Sequence, residues 1–160
     1  MRKSVVAKIM SILLLLFVVY MAGSVINSSN SNKVKQNVEE LNEIFMEIRV
    51  TQKDLVTSIE TVKMYCNMIA TSSAQDSQER MAGFMPDEVA LLNTHLETIE
   101  GLCSKIGDEI VVESYKAYRA AVEKLAAIGT KVANSYKQGD MAAALEAQGG
   151  MYGSVKAMDG

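Results

Sequence analysis

Tryptophan is absent from the 160 residues, proline occurs once (Pro86), histidine once (His95) and cysteine twice (Cys66 and Cys103). A single proline leaves nearly the whole backbone free to be helical, because each other residue keeps its amide donor. Two cysteines are too few for a disulfide scaffold, and their spacing is not that of a metal site. His95, on a polar stretch of helical pattern, is expected to face solvent. No nucleophile–base pair, glycine-rich phosphate loop or cluster of metal ligands occurs, so the chain is expected to be no enzyme and to hold no cofactor or metal. The net charge of −3 is mild. Basic residues do not cluster after the first few positions, so no nucleic-acid partner is expected.

What is present points to helices. Eleven methionines, with abundant Ala, Leu, Glu and Lys, favour an all-α fold. A heptad ladder runs Val34, Val38, Leu41, Phe45, Ile48, Gln52, Leu55, Ile59, Val62, Cys66, Ile69, alternating steps of four and three. That is the seam of a helix bundle or coiled coil, with Gln52 as its one polar, register-setting member. The helix carrying it spans about 40 residues, or roughly 60 Å, which suits a rod-like bundle better than a compact domain.

Before the ladder lies an apolar run, residues 9–26, preceded by Arg2, Lys3 and Lys8. Eighteen residues span roughly 27 Å as a helix, close to the hydrocarbon thickness of a bilayer. Positive charge on the leading side predicts that residues 1–8 are cytoplasmic, residues 9–26 span the membrane, and residues 27–160 are extracytoplasmic. Membrane lipid is therefore an expected partner. The competing reading is a cleaved signal peptide, with Ala22, Gly23 and Ser24 as a small-residue cleavage site.

After the ladder, the polar stretch from Thr71 to Asp76 marks a turn, and Asp76 with Glu79 has the form of a capping box for the second helix. An alternative turn lies at Gly83 to Pro86. The second stripe is Ala82, Met85, Val89, Leu92, Leu96, Ile99, Cys103, Ile106. Gly107 and Asp108 signal the next turn. A third stripe follows: Val111, Tyr115, Tyr118, Val122, Leu125, Gly129, Val132, Tyr136. Gly139 suits the position just past a helix end, and Asp140 the cap of a fourth helix. That helix has Met141, Leu145, Gln148, Tyr152 and Val155 at heptad spacing, weakened by Gly149, Gly150 and Gly153. It is shorter than its partners and reads as truncated. With the first turn near Ser73 to Asp76, the two cysteines lie well apart along the rod and are expected to be free buried thiols; with the turn at 83–86 they would face each other.

The basic N-terminus, single anchor, elongated first helix and two shorter helices resemble the four-helix-bundle sensor domain of methyl-accepting chemotaxis proteins. Tyr115-Lys-Ala-Tyr-Arg119 and Tyr136-Lys-Gln-Gly-Asp140-Met-Ala-Ala-Ala144 look like that family's third helix and its turn into the fourth. The resemblance implies an N-terminal transmembrane helix continuing into an elongated up-down antiparallel four-helix bundle, incomplete at its C-terminal end. It implies a homodimer formed through the first helix, a small-molecule or binding-protein ligand, and helix displacement as the signal. The same sensor serves membrane histidine kinases and cyclic-dinucleotide enzymes. A non-signalling anchored coiled-coil protein of the envelope is the reading from a different class. In aspartate-type relatives, first-helix arginines hold a carboxylate. Here Arg49 is alone on that helix, so no ligand-binding set carries over. Arg49 and Arg119 remain the candidates, each with a plainer reading as a seam-flanking or ion-paired surface residue.

Overall fold

The structure is a computed structural model that describes Leu14, residues 16–20 and residues 31–159. Among the described residues all regular structure is α-helical. Four helices run in order: α1 (Ser31–Thr71), α2 (Gln75–Ile106), α3 (Glu109–Lys137) and α4 (Met141–Asp159). Short connections force each helix antiparallel to the one before, giving up-down bundle packing. α1 packs on α2, α3 on α2 and α4, and α4 more lightly on α1.

The turns form where local chemistry demands them. Gly107 has φ of 70°, in the left-handed region, and its N–H reaches the Cys103 carbonyl. Asp108 then accepts from the amides of Ile110 (2.9 Å) and Val111 (3.1 Å), satisfying two donors that α3 would otherwise leave bare. At the other end Gly139 has φ of 78°, and the Asp140 amide donates to the Ser135 carbonyl at 2.9 Å. This is a Schellman closure of α3. The Asp140 side chain accepts from the Ala143 amide at 2.9 Å and opens α4.

The first turn is at residues 72–74, not at 83–86. The expected capping box does not form: α2 begins at Gln75, its cap position is Ala74 without a side-chain bond, and Asp76 lies inside the first turn. Ser72 instead accepts the Ala74 amide at 3.1 Å, and Gln78 bonds back across the turn to the Ile69 carbonyl at 2.8 Å. That last bond ties the two helices together without a box. α2 passes unbroken through Pro86.

The core follows the first three stripes closely. Ile48, Leu55, Ile59, Val62, Cys66 and Ile69 are buried from α1, with Ile44 taking the fully covered place expected for its half-buried neighbour Phe45. α2 contributes Ala82, Met85, Leu92, Leu96, Ile99 and Cys103; α3 contributes Val111, Tyr115, Tyr118, Val122, Leu125 and Val132. His95 is half-buried rather than solvent-facing.

α4 departs from its heptad. The buried face is Ala144, Ala147, Gln148, Met151 and Ser154, while Met141 (37%), Leu145 (52%) and Tyr152 (67%) are exposed. The small residues win because they let α4 approach α1 and α3 closely, and dispersion contacts require that proximity. The larger heptad side chains are rotated outward by that choice.

Most of the expected membrane span, residues 9–26, and all of the expected cytoplasmic residues 1–8 lie outside the described residues. Among those described, no helix is long and apolar enough to cross a membrane. The junction of the apolar run with α1, residues 21–30, also lies outside the described residues. Phe17, among the described residues, meets Phe45 of α1 edge-on with ring centroids 5.7 Å apart.

Candidate functional site

The two arginines named from the sequence are not brought together. Arg49 is exposed on α1, beside a small groove of about 210 Å³ that Phe17, Phe45 and Ile48 also line. Arg119 is held on both sides: by Glu123 one turn along α3 at 2.7 Å, and by Glu100 across the α2–α3 seam. The partner at Glu123 was legible as an i, i+4 pair. Glu100 was not, since nothing in the sequence says which residues of α2 come level with Arg119. Two carboxylates already answer the one guanidinium, so a ligand carboxylate there would have to displace a partner. A groove of about 400 Å³ runs past this pair, and it is acidic overall, with Glu97 beside Glu123.

Near this ion cluster an aromatic hydroxyl bonds across the α2–α3 seam. Tyr115 is buried and its hydroxyl donates to the Leu96 carbonyl. That bond satisfies the one polar atom a buried tyrosine brings. Tyr118 is buried as well, and Tyr136 is half-buried near the far turn, where its hydroxyl lies 3.5 Å from the Gln75 carbonyl. Tyr115 and Tyr118 are therefore packing residues, Tyr115 with an anchored tip, whereas Tyr136 lines a cavity. Around Tyr136 an open cavity of about 680 Å³ lies between the two turns of that end, with Gln75, Gln78, Glu79 and Lys137 on its walls.

The α1–α4 seam carries a polar contact that the stripes did not reveal as a pair. Gln148 donates to the Asn67 side-chain oxygen at 2.7 Å, and both residues are at least half-buried. Gln148 appeared in the sequence as a heptad member, but its partner, 81 positions away, carries no local signal. The bond sets the register of α4 against α1.

Cys66 and Cys103 are both buried free thiols, as the first-turn position requires. Burial pushes each up to about 11 from the ordinary 9.0, with the nearby Glu100 carboxylate adding to the effect at Cys103. In the folded chain at pH 8 neither is expected to react with a thiol reagent, and both are expected to react after denaturation. The pH dependence has a definite sign. Because the folded values lie above the unfolded ones, the stability tied to the neutral thiols is whole below about pH 9 and is lost as pH rises through about 11. The buried Tyr115 phenol, also raised by burial, acts in the same direction. Urea midpoints measured from pH 8 to 11 should fall, and less steeply in a Cys66→Ala, Cys103→Ala chain.

Among the described residues no group of three or more His, Cys, Asp or Glu is arranged to hold a metal ion. Comparison with known proteins finds no matching family, no matching characterised protein and no matching solved structure.

Proposed function

We propose that the chain is the membrane-anchored, extracytoplasmic sensor portion of a chemotaxis-type transducer, dimeric through α1, which passes a signal inward by displacing one helix against another. The observation that carries this reading is the outer face of α1. Met46 (54%), Val50 (59%) and Met64 (49%) are exposed there, and Thr57 and Thr61 lie along the same face. Both threonine hydroxyls are spent on backbone carbonyls four residues back, at 3.1 and 2.9 Å. Their methyl groups are left to the surface. Lys53, Asp54 and Glu60 flank this stripe, Glu39 and Glu43 continue the same face toward the start of α1, and Met46, Val50 and Met64 are left out of the intrachain core. A long helix that is apolar on one face and weakly polar on the opposite one suits packing against a second copy.

The α4 attachment supports the displacement. Its seat is built from Ala144, Ala147, Gln148, Met151 and Ser154, and among the described residues Gln148 makes the one side-chain hydrogen bond to α1. Such a seam permits a small shift at modest loss of packing. The chemotaxis output rests on the sequence resemblance alone.

The test is cross-linking in membranes. With Val50→Cys in the full chain, mild oxidation is expected to give a disulfide-linked dimer, because the same residue of two parallel copies meets across a two-fold axis. Lys124→Cys, on the exposed face of α3, is expected to give almost none. Equal yields from the two variants, or none from Val50→Cys, would sink the α1 dimer.

A further inference from the structure

Near the start of α1, Ile44 and Ile48 are buried, at 8% and 3% exposure. Part of their cover is the chain's own apolar run. Leu16 packs against the core, Phe17 meets Phe45 edge-on, and Tyr20 shares a cavity of about 430 Å³ with Leu41, Ile44 and Ile106.

The fit is partial, and this decides what the contact is for. Cavities of about 430 and 210 Å³ remain around Phe17, whereas the core above has Leu55, Val62 and Leu92 at 0% exposure. On its other side the helical run leaves Val18 (58%) and Val19 (59%) exposed. One face is thus sheltered and the other is not. Such a surface is incompletely removed from water and gains further by entering a bilayer.

From this we infer that the basal groove of the bundle is an intramolecular seat for the apolar run around Phe17, holding it in the absence of a bilayer and giving it up to one. The groove half of this inference stands on the contacts; the exchange half rests on the anchor reading of the preceding section. The occupant is the chain itself, since Leu16 and Phe17 already fill the groove. In the bilayer-bound form the groove opens, and Leu41, Ile44 and Phe45 lose that cover.

The experiment uses Leu14→Cys with Asn42→Cys in the otherwise native full chain. Both positions line the same groove and neither is a core residue. The buried native thiols do not compete. The protein is made without lipid or in nanodiscs of phosphatidylcholine and phosphatidylglycerol, treated with a short bismaleimide, and mapped by peptide mass spectrometry. Without lipid, an intramolecular link between positions 14 and 42 is expected. Adding Phe45→Asp should reduce it by about ten-fold, because a carboxylate would be stranded against Phe17. Nanodiscs should reduce it by a similar factor of about ten, the segment having moved into the bilayer. Absence of the link without lipid, while both thiols label singly, would overturn the seat and leave the anchor reading untouched. Links between chains would overturn it also. A link undiminished by nanodiscs would overturn the exchange and, with it, the anchor.

Discussion

Gly129→Leu is expected to lower the unfolding free energy by about 3 kcal/mol, the upper part of the range for overpacked cores. Gly129 is buried in the middle of α3, where α1, α2 and α3 meet. A Cβ there would lie 2.9 Å from the Met85 sulfur and 3.0 Å from a Val62 methyl. Met85 is flexible and able to turn aside; Val62 is β-branched and fixed at χ1 by its helix. Alanine should therefore be nearly neutral, its gain in helix propensity of about 1 kcal/mol offsetting the push on its neighbours. Leucine has no such room. Adding Met85→Ala to Gly129→Leu opens space on the same spot and should recover about 1 kcal/mol or more beyond additivity. Urea unfolding of the four chains measures this. Additive losses would mean that Met85 and position 129 do not share the space.

The second large effect contrasts two adjacent leucines. Leu92 is fully buried and Leu91 is 46% exposed. Leu92→Ala removes buried methyl groups and leaves a cavity, at a cost of about 3 to 4 kcal/mol. Leu91→Ala removes side-chain atoms that are largely in water already, and should cost roughly 0.5 kcal/mol or less. Both substitutions raise intrinsic helix propensity alike, so the difference isolates burial. Comparable losses at the two positions would show that α2 is rotated about its axis from the arrangement described.

Much of the bundle was legible because its determinants are local. The stripes of α1, α2 and α3 have a period that only a helix satisfies, and the turns at Gly107–Asp108 and Gly139–Asp140 announce themselves through residues suited to positive φ and to capping. The α4 face was not legible for the converse reason. Met141, Leu145 and Tyr152 have the right period and size to be inward, and the pattern by itself cannot say that Ala144, Ala147 and Ser154 fit the available gap better. The capping box at Asp76 failed similarly. Its spacing is correct, but the bond from Gln78 to Ile69 fixes the turn from outside the motif.

For the candidate site, the sequence named Arg49 and Arg119 but left their surroundings open. The i, i+4 neighbour Glu123 could be read from spacing. Glu100, and Asn67 opposite Gln148, depend on which helices come level, which is set by the lengths of the helices between them and the turns that join them.

The sequence by itself thus determined that this chain is helical, where its second and third turns lie, and which sides of its first three helices are apolar, since each follows from periodicity and from the φ preferences of single residues. Only the tertiary structure decided that small residues seat α4, that two carboxylates hold Arg119, and that Phe17 meets Phe45 of α1. Those outcomes depend on the space left between helices, and that space belongs to the assembled bundle rather than to any one segment.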